Sequence, residues 1–112
     1  MIDKDKLRGH LETMVLSVLE KKSGHGFEIM RRLEDKGCNL LKLKEGTLYP
    51  ALYRLEEAGY IKGKWEDNFS ERKGPRRRIY SLTKTGKKHL VSQRENWKQF
   101  ITVVGKIVTG TT

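Results

Sequence analysis

A chain of 112 residues suits one small domain with a modest core, and its 24 Lys and Arg against 14 Asp and Glu give a formal charge of +10. That excess points to an anionic partner, nucleic acid before a membrane surface, and clustering of the charge separates such a protein from a merely basic one. The single cysteine, Cys38, excludes an intrachain disulfide and a Cys-based zinc site, while His10, His25 and His89 lack metal-ligand spacing. No apolar stretch approaches the roughly 18 residues of a membrane span, and the polar start MIDKDKLRG does not resemble a signal peptide. The expectation is a soluble, cytoplasmic protein without metal or cofactor.

From Asp5 to about Lys21, Leu7, Leu11, Met14, Val15, Val18 and Leu19 follow a helical period, and Leu16 widens the stripe toward burial on two sides. Ser23-Gly24-His25-Gly26 breaks it. A second helix follows, with Phe27, Met30 and Leu33 inward and Arg31, Arg32, Glu34 and Asp35 outward. It ends at Lys36-Gly37, a basic last turn with a glycine in the C′ position. Between Cys38 and Lys44, Leu41 and Leu43 alternate with lysines as in a very short strand, and Cys38 is expected to pack as a small apolar residue.

The stretch Gly46–Ala58, GTLYPALYRLEEA, is the centre of the chain. On a helix, Leu48, Ala51, Leu52, Leu55 and Ala58 form one apolar stripe. The other side is aromatic and compact rather than Lys/Glu-rich. Pro50 requires a helix that begins just before it, because its missing N–H is harmless only in the first turn. Thr47, Tyr49, Pro50, Tyr53 and Arg54 then occupy the N-terminal part of a helix, the part a helix-turn-helix presents to base edges.

After the Ala58-Gly59 stop the period changes to two, in Tyr60–Glu66 and again in Arg76–Leu82, with a polar Gly-Pro-containing segment between. This predicts a hairpin with a basic tip. From Glu71 to Lys88, eight basic residues face the single acid Glu71, so the charge is clustered. Regular alternation sets Arg77 opposite to Arg76 and Arg78. Thr83–Val108 then reads as one helix of about 39 Å, with Leu90, Trp97, Ile101, Val104 and Val108 on a stripe that Arg94 interrupts. A helix that overhangs its domain with such a stripe predicts a dimer seam.

Three helices, a two-stranded basic hairpin and a last helix form the order of a winged helix-turn-helix, a mainly α fold of the α+β kind. The sequence resembles the PadR family of transcriptional regulators. Leu7–Glu12 is similar to the family's opening, Gly24-His25-Gly26-Phe27-Glu28-Ile29 to its second helix, and Gly46–Glu56 to its recognition helix. The run Gly74–Thr83, followed by Gly86, is similar to its wing. Lys44-Glu45 stands where the family often has Ser-Pro, so the cap of the recognition helix differs here.

The resemblance implies a homodimeric DNA-binding regulator, often a repressor, with a DNA-binding domain over residues 1–82 and a single-helix dimerisation region over 83–112, as in the short subfamily. Two-fold symmetry implies an inverted-repeat operator. Thr47, Tyr49, Pro50, Tyr53 and Arg54 are the candidates for major-groove contact, and Lys73, Arg76, Arg77 and Arg78 for backbone or minor groove. One of the two tyrosines packing under the wing is the plainer alternative for that residue. Leu11, Val15, Trp97, Ile101, Val104 and Val108 are the candidates for the seam. Two facing Trp97 indoles would stack on a small aromatic effector, although interface packing alone also accounts for Trp97. His25 reads as a turn residue with a local hydrogen bond, or as a phosphate contact at a helix N-terminus. His10 and His89 receive no role.

The rival reading is a winged-helix protein-interaction module that binds DNA without regard to sequence. No carboxylate pair, nucleophile–base constellation or phosphate loop supports an enzyme.

Overall fold

A computed structural model describes residues 7, 9–67 and 76–110. Helix α1, Leu11–Leu19, buries Leu11, Val15, Leu16, Val18 and Leu19. It is shorter than the periodicity suggests, because Gly9 turns the chain at φ +86°, a conformation that suits glycine and interrupts helical hydrogen bonding. Strand β1, Gly24–His25, leads straight into α2, Gly26–Lys36. A reciprocal cap starts α2. The Glu28 N–H donates to His25 Nδ1 at 3.3 Å, and the His25 N–H donates to Glu28 Oε1 at 3.1 Å. The local hydrogen bond expected of His25 is therefore present.

Helix α2 turns one residue from the expected frame. Ile29 and Leu33 enter the core, while Phe27 is exposed beneath the Arg31 guanidinium. Both frames share Met30 and Leu33, so periodicity does not distinguish them. The close approach of the Tyr49 hydroxyl to Gly26, where a Cβ would collide with it, selects the frame that buries Gly26.

The C-terminal turn of α2 also departs from expectation. Gly37 keeps a negative φ of −82°, and Cys38 and Asn39 carry the left-handed turn at φ 53° and 63°. Gly37 is needed for space instead: a Cβ there would lie 2.8 Å from the Cβ of Leu41. Cys38, placed on the outside of that turn, is exposed rather than packed. Leu41 and Leu43 are buried in alternation with exposed lysines, but no strand forms there. Leu43 is tied instead to α2, its N–H donating to Glu34 Oε2 at 3.3 Å.

Helix α3, Glu45–Glu57, buries Leu48, Ala51, Leu52 and Leu55, and Ala58 is its exposed C-cap rather than a core residue. It begins earlier than Pro50 suggested. Pro50 lies in the second turn, and the carbonyl it cannot serve belongs to Gly46, an exposed residue. Gly59, at φ +80°, ends the segment.

Strands β2, Ile61–Trp65, and β3, Arg78–Leu82, pair antiparallel with Ile61 opposite Leu82, Gly63 opposite Tyr80 and Trp65 opposite Arg78. The hairpin is part of a three-stranded sheet of order β1-β3-β2, since Gly24 pairs with Tyr80 and His25 with Ile79. Two residues are too few to show a period, which is why β1 was not foreseen. The hairpin tip, with Arg72, Lys73, Gly74 and Pro75, lies outside the described residues.

Helix α4, Lys84–Thr109, starts at a Thr83 cap whose Oγ1 accepts from the Gly86 N–H at 2.9 Å and donates to the Gly59 carbonyl at 2.6 Å. Its first turns close the core through Leu90. Arg94, which breaks the apolar stripe, grips Glu20 with both terminal nitrogens at 3.0 and 2.9 Å and so fastens α4 to the end of α1. This bidentate hydrogen bonding holds the Glu20 carboxyl below its ordinary range. Beyond that point α4 overhangs, and the molecule measures 59 × 31 × 21 Å.

Candidate nucleic-acid interface

The outward face of α3 is built on four buried residues, Leu48, Ala51, Leu52 and Leu55, which anchor the helix and leave the opposite side to solvent. Tyr53 is the most exposed aromatic there, at 66%, and Pro50 and Tyr49 flank it. Thr47 is half-buried at the start of the helix. The two tyrosines differ: the Tyr49 ring leans on Gly26 of α2, whereas Tyr53 projects outward. Arg54 reaches sideways, its Nε 3.0 Å from Glu12 Oε1 of α1.

The wing arginines divide as strand alternation predicts. Arg76 and Arg78 lie over the Trp65 ring, 5.6 and 5.4 Å from its centroid, and Arg77 turns to His25. Arg77 Nη1 sits 2.8 Å from His25 Nε2. A neutral imidazole has one acceptor nitrogen, so His25 cannot accept from the Glu28 N–H at Nδ1 and from Arg77 at Nε2 at the same time. Arg78 instead donates to Glu56 Oε2 of α3 at 2.6 Å, a hydrogen bond that raises its pKa above the ordinary value. Burial pushes the neighbouring Tyr80 hydroxyl up as well, and the Glu56 charge adds to this. Between the start of α2 and the wing these groups border a groove of about 750 Å³ that includes Tyr49, Trp65 and Phe27. Lys73, the fourth expected wing contact, lies outside the described residues.

The seam candidates separate into two groups. Leu11 and Val15, expected between protomers, are 8% and 0% exposed and belong to the protomer's own core. Trp97, Ile101, Val104 and Val108 are exposed along α4, with Phe100, Val103 and Ile107 beside them. Trp97 meets His10 edge-on at 5.1 Å and stacks near Phe100 at 5.7 Å. These rings border a groove of about 710 Å³ between the start of α1 and α4, with Met14 and Gln93 in its wall.

Sequence reasoning missed Glu12 and Glu56, the acidic partners of two candidate DNA-contacting arginines. It also missed His10 and His89, the latter stacked on Tyr60 with ring centroids 3.9 Å apart. Neither acid bears a local signal, since its partner arginine is 42 or 22 residues away. Among the described residues no cluster of His, Cys, Asp and Glu fits a metal, and no helix is long and apolar enough to cross a membrane.

Helices packed around a small antiparallel wing, with the exposed face of α3 beside a row of arginines, define the winged-helix class. Comparison with known proteins places the chain within it. Residues 15–92 match the transcriptional regulator PadR-like family, and the chain belongs to that family. It is therefore a transcriptional regulator rather than an enzyme. A transcriptional regulator from Clostridium thermocellum is 34% identical, with a TM-score of 0.85 over 96% of this chain and 99% of that one. A PadR family regulator from Clostridium difficile is 32% identical, with a TM-score of 0.75 over 89% of this chain and 99% of the other. Bacillus subtilis PadR, solved in complex with operator DNA, shares the fold at 23% identity and a TM-score of 0.66, over 78% of this chain and 47% of that chain.

Proposed function

We propose that the chain is a homodimeric, sequence-reading DNA-binding regulator that acts as a repressor in the cytoplasm. Residues 1–82 would read DNA and residues 83–112 would join two protomers. The observation that carries this reading is the exposed face of Tyr49, Pro50 and Tyr53 on α3, set beside Arg76 and Arg77 of the wing. Tyr53 and Pro50 enter the major groove with Thr47 at its edge, the tyrosine hydroxyls meeting phosphate and the proline ring meeting thymine methyls. Arg54 joins them once it leaves Glu12. Arg76, Arg77 and, on sequence grounds, Lys73 take the adjacent backbone.

The exposed stripe of Trp97, Ile101, Val104 and Val108 supports a seam between copies, since apolar side chains in that number on one helix gain by mutual burial. Two-fold symmetry then sets half-sites about 34 Å apart in an inverted repeat. Repression is the mode the family resemblance implies, because occupancy of an operator is enough to block a promoter. A small aromatic effector would lodge against Trp97, and would act only by binding DNA-competent and incompetent dimers unequally.

Selection from a random duplex pool, with affinity of the enriched sequence measured at two salt concentrations, tests the reading. Enrichment of a palindrome, with binding lowered by Tyr53→Ala, is the expected result. Binding that is blind to sequence and lost at physiological salt would overturn it in favour of a protein-interaction module.

A further inference from the structure

Arg78 and Glu56 join the two parts of the interface. β3 carries Arg78, Tyr80 and Leu82 on one face, opposite Trp65, Gly63 and Ile61 of β2, and this face is directed toward α3, with Tyr80 and Ile61 buried. Arg78 therefore begins on the inner side of the wing. Its guanidinium crosses β2 over Gly63, passes the Trp65 ring at 5.4 Å and ends on Glu56 Oε2 at 2.6 Å. A Cβ at Gly63 would collide with Arg78 Nε, so the glycine is the gap through which the side chain passes. The Arg78 and Glu56 side chains are 30% and 32% exposed, half sheltered by the surfaces they connect.

We propose that Arg78 is a positioning residue, which fixes the wing to the recognition helix through Glu56 and makes no contact with DNA. This rests on the DNA-binding reading above. Its logic is geometric. The wing and α3 must meet the same duplex in one register, because phosphate contacts set the orientation from which base edges are read. A planar guanidinium held by a carboxylate and an indole face fixes two rotations at once, which a lysine ammonium would not. An ion pair this exposed changes overall stability little, so the variants should stay folded.

The experiment compares Arg78→Ala, Glu56→Ala, the double variant and Arg77→Ala on the enriched duplex across a salt series. For a positioning pair, each of the first two variants lowers specific affinity about ten-fold, the scale of one lost base-pair recognition, and the double variant loses no more than either. Their salt slope stays that of wild type, whereas Arg77→Ala reduces its magnitude by about 0.9 as a phosphate contact disappears. If Arg78→Ala reduces the slope in the same way while Glu56→Ala tightens binding, Arg78 is a phosphate contact and the proposal fails.

A readout without DNA keeps the two readings apart. In a Trp97→Phe background Trp65 is the only remaining tryptophan of two. Acrylamide quenching of its emission should rise equally in Arg78→Ala and Glu56→Ala, and a charge-swapped Glu56→Arg, Arg78→Glu pair should restore part of the protection. Equal quenching in all variants would overturn the positioning role even if the duplex selection succeeded. Raised quenching with no enriched duplex would keep the Arg78–Glu56 tie and remove the DNA reading instead.

Discussion

Arg54 on α3 and Glu12 on α1 meet at 3.0 Å across 42 residues of sequence. Both side chains are largely exposed, at 60% and 44%, so the pair is weak and screened by salt. It nonetheless occupies the guanidinium that sequence reasoning assigns to DNA. Binding through Arg54 must exchange a carboxylate for a base edge or phosphate.

Glu12→Gln should therefore strengthen operator binding by up to about five-fold at low salt, the scale of an exposed ion pair removed from the free protein. The gain should disappear in an Arg54→Ala background. Equilibrium titration of the four proteins against one duplex decides it, and an unchanged affinity in Glu12→Gln would show that Arg54 does not leave Glu12 to bind.

Gly86 offers a test of packing. It lies in the first turn of α4, where a Cβ would collide with the Tyr60 carbonyl oxygen and come within 2.8 Å of Leu82 Cδ1. Helix propensity alone favours Ala over Gly by about 1 kcal/mol. Overpacking against backbone has the opposite sign, and Gly86→Ala should destabilise the protein by about 1–3 kcal/mol in urea unfolding. Stabilisation would mean that propensity, not the contact with Tyr60, governs this position.

The Tyr80 hydroxyl is pushed up first by burial and then by the Glu56 charge. A raised folded pKa means that the folded state holds this proton more tightly than the unfolded chain. The associated stability is complete below the unfolded value of about 10 and is lost as pH rises through the higher folded value. Ultraviolet titration of tyrosinate should show a late step that is absent in Tyr80→Phe, and alkaline unfolding should shift with it.

The exposed stripe on α4 predicts the assembly state. Val104→Asp would bury an unpaired charge in the proposed seam, and should raise the dimer dissociation constant by at least about a hundred-fold while leaving the protomer folded. Sedimentation equilibrium with circular dichroism checks both parts. A wild-type chain that sediments as a monomer would remove the symmetric operator from the reading.

Much of the architecture was legible because its causes are local. The change of apolar period from 3.6 to 2 at Gly59 and back at Thr83 follows from backbone geometry within a few residues, and the strands and α4 fall within one or two residues of that reading. The resemblance to PadR regulators is equally a property of short runs, and the family match over residues 15–92 agrees with it. Alternation along the wing also sufficed to part Arg77 from Arg76 and Arg78.

The errors occur where two distant segments meet. Phe27 and Ile29 compete for the same core, and the frame that places Gly26 against Tyr49 is the one that buries Ile29. Leu11 and Val15 look like seam residues on a helical wheel, but the rest of the domain closes over them. The sequence by itself determined a basic winged-helix regulator with an aromatic recognition helix. Which arginines are held by Glu12 or Glu56 was decided by tertiary structure alone. Charge is a property of a residue, whereas pairing is a property of the packing that brings two residues together.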